Sequence, residues 1–209
     1  FHAKPQSKSL TVVGTDGHRL ALIMKQMEGK IKDEKKMIVP RKAVSELRRF
    51  LSKEEEIKIS IGKNHLLFSV AGVQFLTRLI EGTYPNYEHV IPQSNEKKIS
   101  INREAFTRAL RRVSVMSRER ANAVRADFGD NNLTISSSNP DLGEAREEVA
   151  IDYKGDKLSV GFNARYLIDA LGVIMSENVM LELQDPLSPV LLREEGGGDY
   201  KCVVMPMRI

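Results

Sequence analysis

The stretch KKISINREAFTRALRRVSVM (97–116) changes its period at Asn102. It opens as a short β-branched strand, breaks at a polar residue, and continues with apolar side chains at Phe106, Ala109, Leu110 and Val113. Spacings of three and four place those residues on one face of an amphipathic helix. Two further stretches share this layout. KMIVPRKAVSELRRFLSK (36–53) puts Val44, Leu47 and Leu51 on one helix face, with a proline at the break. DKLSVGFNARYLIDALGVIM (156–175) does the same with Tyr166, Leu167, Ala170, Leu171 and Ile174. The starts recur roughly every sixty residues, the signature of an internal repeat.

Strand patterns fill the gaps between the helices. EIKISIG (56–62), HLLFSVA (65–71) and QFLTRLI (74–80) follow the first, and NLTISSS (132–138) and EAREEVAI (144–151) follow the second, divided by turn signals. The repeating unit is therefore a strand and a helix followed by about three antiparallel strands, an α+β design with the helix covering one face of its sheet. The polar, proline-containing segment YPNYEHVIPQSNEK (84–97) reads as a linker, which divides the chain into domains at 1–92 and 93–209. The second domain holds two complete units. The first holds one, preceded by two strands, LTVVGT (10–15) and RLALIMK (19–25). The chain starts at Phe1 rather than Met, and this layout leads us to expect a fragment whose missing N-terminal part carries another helix.

Bulk properties narrow the function classes. The chain of 209 residues has a formal net charge of +4, a charged fraction of 29% and a hydrophobic fraction of 41%, ordinary for a globular protein. No apolar run is long enough to span a bilayer, so no membrane partner is expected. A single cysteine, Cys202, makes no intrachain disulfide, which favours a cytoplasmic location. Four scattered histidines and one cysteine have no ligand spacing, so neither metal nor cofactor is expected. The glycine run GGGDY (196–200) precedes a strand and reads as a hairpin tip rather than a phosphate loop.

TDGHRL (15–20) is the one stretch that invites a catalytic reading, with Asp16 orienting His18 as a general base in a hydrolase. The alternative is structural. An Asp-Gly pair between strand-like runs is a hairpin turn, in which Asp16 caps backbone amides and Arg19 is solvated. Cations supply a second candidate. Arg41, Lys42, Arg48 and Arg49 lie on the first helix and Arg103, Arg108, Arg111 and Arg112 on the second, away from the apolar faces. They read either as a solvated face or as a surface for the phosphates of a generic, non-specific DNA-binding protein. No aromatic residues are interleaved with them, which leaves only backbone contacts. The C-terminus, YKCVVMPMRI (200–209), is unusually apolar. Its methionines either complete the core or line an adaptable peptide groove.

TDGHRLA (15–21), VPRKAVSELRR (39–49), YPNYEHVIP (84–92), SSSNPDLGEAREE (136–148), VGFNARYLIDAL (160–171) and VVMPMRI (203–209) together closely resemble the bacterial sliding clamp family, the beta subunit of DNA polymerase III. The resemblance runs along essentially the whole chain, matching the later part of the second clamp domain and all of the third. It implies the DNA clamp fold, with antiparallel sheets outside and helices on the inner face. It also implies a non-enzymatic processivity factor: a head-to-tail homodimeric ring around double-stranded DNA. Such a ring tethers the polymerase III alpha subunit, the clamp loader and repair proteins through a cleft between domains two and three.

By matching motif, the resemblance assigns to the peptide cleft Thr15, Gly17, His18, Arg19 and Leu20, with Pro85, His89 and Val90 from the linker. From the third domain it adds Asn163, Tyr166, Leu187, Pro189, Val203, Val204, Met205, Pro206, Met207 and Arg208. Val115 and Met116 stand at the edge that meets a partner subunit. Lacking the first domain, this chain alone is expected to be monomeric. Two positions depart from the family's habit: Ala121 at the cleft edge, where an aromatic is common, and His89, where an arginine is frequent.

Overall fold

The computed structural model describes residues 1–29, 31–51, 56–70, 72–117 and 122–208. Ala121, Ile209 and the expected ends of the first helix (Ser52, Lys53) and of one strand (Ala71) lie outside the described residues. The chain forms two compact units, one of Phe1–Val12 with Lys25–Asn86 and the other of Val13–Met24 with Tyr87–Ile209.

The first part of the chain contains β1 (His2–Lys4), β2 (Ser9–Thr15), β3 (Arg19–Gln26), β4 (Lys35–Lys36), α1 (Arg41–Phe50), β5 (Lys58–Ile61), β6 (His65–Val70) and β7 (Val73–Arg78). In the first unit β1 pairs antiparallel with β2 and β4, and β5, β6 and β7 form a separate antiparallel sheet. Ala3, Met37, Leu47, Leu66 and Phe68 make its core, with the Phe1 ring edge-on to Phe68 at 6.2 Å. The strand expected ahead of α1 is reduced to β4 and one bridge, Ile38 to Ile80. Pro40 stands at the N-cap of α1 and supplies no side-chain cap.

The expected buried face of α1 needs correction. Ala43 and Leu47 are buried, whereas Val44 and Leu51 are 39% and 38% exposed. Among its described residues the first unit has no second α-helix. The sheet alone therefore covers only a narrow stripe along α1, and residues one step round the helix stay in solvent.

The second unit follows the repeat closely. Its first repeat is β8 (Lys97–Asn102), α2 (Arg103–Val113), a 3₁₀ turn (Ser114–Ser117), β9 (Ala123–Gly129), β10 (Asn132–Asn139) and β11 (Gly143–Asp152). Its second is β12 (Leu158–Asn163), α3 (Ala164–Leu171), β13 (Asn178–Leu183), β14 (Val190–Glu194) and β15 (Tyr200–Val204). The repeats interlock. The leading strand of each pairs with the first strand after the other's helix, β8 with β13 and β12 with β9. Each leading strand ends in an asparagine that caps its helix. Asn102 Oδ1 accepts from the Ala105 amide at 3.0 Å, and Asn163 Oδ1 from the amides of Arg165 and Tyr166 at 2.9 and 3.3 Å.

The helices pack on the sheet and on each other, burying Phe106, Leu110, Val113, Leu167 and Leu171 in one core. Asp130 and Asn131 both adopt positive φ between β9 and β10, the geometry of a two-residue hairpin turn.

The contrast between α2 and α1 is testable. Leu110→Ala should cost about 2–5 kcal/mol in urea denaturation, as large-to-small changes in packed cores do. Val44→Ala should change stability by no more than about 0.5 kcal/mol, since its side chain leaves no cavity.

Candidate functional site

The turn Thr15–Arg19 belongs to the second unit and is closed by its own side chains. Thr15 Oγ1 donates to the Arg19 carbonyl at 2.7 Å and accepts from the Gly17 amide at 3.2 Å. Asp16 Oδ1 accepts from the amides of His18 and Arg19 at 3.1 and 3.0 Å. Gly17 has φ of 87°, a conformation that costs glycine little. Burial would raise the Asp16 carboxyl, but the two amides and the Arg19 guanidinium outweigh it and hold the group below the usual carboxylate range. Its oxygens serve the turn and Arg19. No bond from Asp16 to the His18 ring exists among the described residues, so the catalytic dyad does not form. Cys202 offers no substitute nucleophile, because burial pushes its thiol up.

The solvated Arg19 of the sequence reading is a second correction. Its Nε donates to Asp16 Oδ2 at 3.1 Å and its Nη1 to Asp169 Oδ2 at 2.7 Å. Its guanidinium carbon lies 4.5 Å from the centroid of the Tyr166 ring. The planar guanidinium satisfies two carboxylates while stacking on an aromatic face, which an ammonium would not do. Partial burial opposes the charge, yet the two carboxylates keep the guanidinium more basic than usual. The His18 ring lies 6.3 Å from that of Tyr166, centroid to centroid.

β15 carries this turn. Arg19–Ile23 of β3 pair with Tyr200–Val204, Leu20 opposite Val203 and Arg19 opposite Val204. Here the sheet is apolar on both faces. Cys202 and Val204 point into the main core, while Val203, Leu20, Leu22 and Leu191 form a second cluster, joined by Val13, Tyr87 and Ile91. The linker residues Tyr87 and Ile91 therefore cover the reverse of the sheet, a role that the sequence reading missed. Val203 and Val204, both assigned to the cleft, are both buried, Val203 in this second cluster and Val204 in the main core.

Beyond β15 the backbone stays anchored while side chains come free. The Met205 amide donates to the His18 carbonyl at 2.9 Å and the Met207 amide to the Gly161 carbonyl at 2.8 Å. Met205 is 43% exposed, Pro206 and Met207 are half-buried, and Arg208 is exposed. Leu187, 70% exposed, rides on a loop closed by Asp185, which accepts from the amides of Leu187 and Ser188. Pro189 is half-buried, its carbonyl bonded to Asn95 Nδ2. His89 and Val90 are exposed between the two packed linker residues. Thr15, Gly17, His18, Arg19, Leu20, Asn163, Tyr166, Val203 and Met205 are thus brought together around β15 and the start of α3. Pro85 is exposed and belongs to the first unit.

The cations differ among themselves. Arg41, Lys42, Arg48 and Arg111 are exposed and carry no ion pair among the described residues. Arg49 and Arg108 reach Glu46 and Glu104 on their own helices at 3.3 and 3.4 Å. Arg103 Nε donates to the Ser176 carbonyl. Arg112 grips Glu147 of β11 with both arms, at 2.6 and 2.8 Å. Val115 is exposed and Met116 half-buried beside β11. Among the described residues β11 pairs with β8 only at Ile151 and Asp152, so most of that margin is an edge without a described partner strand, carrying Glu144, Glu147 and Glu148.

Interlocked strand–helix repeats, with helices on one side of antiparallel sheets, define a clamp-type α+β protein. Residues 2–86 match the family described as DNA polymerase III beta subunit, central domain, and residues 88–208 match its C-terminal domain. The chain belongs to this family. It is 39% identical over 202 residues to the beta sliding clamp of Pseudomonas putida, covering 96% of this chain and 55% of that one. The Staphylococcus aureus beta sliding clamp is 35% identical, with 97% and 54% covered. The crystal structure of a DNA polymerase sliding clamp from Pseudomonas aeruginosa superposes with a TM-score of 0.92 at 36% identity, over 97% of this chain and 56% of the other. The chain therefore spans about half the length of the relatives it matches.

The capped turn makes a pH prediction. A carboxylate with a lowered folded pKa stabilises above its unfolded value, and that contribution fades as pH falls through the folded one. Asp16→Ala should cost up to about 1 kcal/mol near neutral pH, a cap-sized loss. The gap from wild type, followed by urea denaturation, should narrow as the solution is taken below the ordinary carboxylate range.

Proposed function

We propose that this chain is the peptide-binding and DNA-facing part of a sliding clamp, a non-catalytic processivity factor of cytoplasmic DNA replication. The reading rests above all on the join between turn and C-terminus. A backbone pinned from Met205 to His18 displays an exposed methionine beside the buried Leu20 and Val203. A rigid apolar floor with an adaptable side chain at its rim suits a short linear peptide. Polymerase III alpha and the clamp loader are the partners proposed for it. His18, Tyr166, Leu187, Pro189 and Met207 would line it, with Arg208, His89 and Val90 at the rim. Val204 would contribute by fixing the sheet beneath.

The outer faces of α1 and α2 are proposed to meet the phosphates of duplex DNA through diffuse charge. Arg41, Lys42, Arg48 and Arg111 would contribute most, because Arg49, Arg103, Arg108 and Arg112 already have partners. The edge formed by Val115, Met116 and the acidic margin of β11 is proposed as the surface that meets a second subunit in a closed ring. Its acidic residues call for a basic strand opposite.

Calorimetric titration with a peptide containing Gln, Leu and Phe, of the clamp-binding type, tests the site. Met205→Ala should weaken binding by about 1–3 kcal/mol, a truncation-sized loss at an interface. Unchanged affinity in both that variant and one lacking residues 205–209 would remove the C-terminus from the site. For DNA, affinity without encirclement should be weak and fall steeply with salt, in filter-binding or fluorescence titrations. Sequence-selective binding that survives physiological salt would refute the role given to the helices.

A further inference from the structure

The Arg19 guanidinium joins two elements distant in the chain, the turn at 15–19 and helix α3. Nε is used on Asp16, Nη1 on Asp169, and the flat face on Tyr166. Asp169 follows Tyr166 by three positions, so both project from the same side of α3. The family resemblance assigns Tyr166 and Arg19 to the peptide site but gives Asp169 no role.

We propose that Asp169 is a positioning residue for the peptide site, holding Arg19 across Tyr166 so that the turn and α3 form one rigid wall. The inference rests on the peptide-site reading above. An isolated ion pair at a surface contributes little, largely because two long side chains must be ordered together. Arg19 is already ordered by Asp16 and by the ring, and its side chain is only 29% exposed, so Asp169 closes a frame that is largely in place. Two carboxylates against one guanidinium leave the cluster with a net charge of −1 when His18 is neutral. The Arg19 cation is therefore internally matched, and its contribution to binding should not depend on acidic groups in the ligand. Lysine could not replace it, since a point charge cannot meet two carboxylates and stack on a ring at once.

The test uses the whole 209-residue chain with Asp169→Asn and Arg19→Lys. Each variant is titrated calorimetrically with one clamp-type peptide made in two forms, flanked by lysines or by glutamates. The Tyr166 ring resonances are followed by NMR without peptide. Both variants should lose roughly three- to tenfold in affinity, equally for the two peptides, and the Tyr166 resonances should shift. Should Asp169→Asn also lower the folded fraction, Asp169→Glu, which keeps the charge, should restore affinity, and a failure to do so counts against positioning. A loss confined to the lysine-flanked peptide would overturn the proposal by making Asp169 a direct ligand contact. Wild-type affinity in either variant, with the parent chain binding peptide, would overturn it alone. A parent chain that binds neither peptide would overturn the site reading and this inference with it.

Discussion

In the second unit, the leading strand of each repeat is held by the other repeat. β8 lies against β13 from Asn102–Asn178 to Lys97–Leu183, and β12 against β9 from Leu158–Phe128 to Asn163–Ala123. Neither repeat has a complete sheet by itself, so the two must form together. The exchange also sets the helices. Each leading strand ends in a capping asparagine, and the helix that follows drops onto the same face of the sheet as its counterpart. Helices delivered to one face meet each other, and their wide apolar stripes are buried in one core.

That arrangement explains where the candidate site lies. β15 ends the second repeat, and the strand on its open side comes from far upstream, Arg19–Ile23. β15 is buried on both faces at Cys202–Val204, and Leu20–Ile23 opposite it is a continuous apolar run. The turn preceding Arg19 is thereby set beside the first turns of α3, because α3 covers one face of that same sheet. After Val204 the chain leaves the sheet but keeps its amides engaged, first to His18 and then to Gly161. Position is fixed by backbone bonds, which leaves the Met205 and Arg208 side chains free to adapt.

How much of this was legible follows from where the deciding atoms lie. The repeat and the faces of α2 and α3 were readable because period and packing agree there. Val44 misled because the core reaches only Ala43 and Leu47 on α1, so helical spacing alone did not decide its burial. Arg19 was misread because its decisive partner stands 150 positions away. The Tyr166–Asp169 spacing on one helix face was the signal that could have hinted at it. The proposed peptide site was legible mainly through motifs shared with the clamp family. By composition alone the C-terminal methionines served a core as well as a groove, and Val204 does in fact serve the core.

The same accounting of partners separates the two basic helices. On α2 the sheet competes for cations: Arg112 is spent on Glu147, Arg103 on a backbone carbonyl, and only Arg111 stands exposed without an ion pair among the described residues. On α1, Arg41, Lys42 and Arg48 are all in that condition. A ligand that must move along a surface is served by unfixed charges, since long side chains in water follow a phosphate without holding it in one geometry. Bidentate pairs do the opposite and fix both partners. On the proposed reading, Arg112 therefore acts as a brace between α2 and the acidic margin of β11. On the same reading, the charge proposed to meet DNA comes from side chains that carry no ion pair among the described residues.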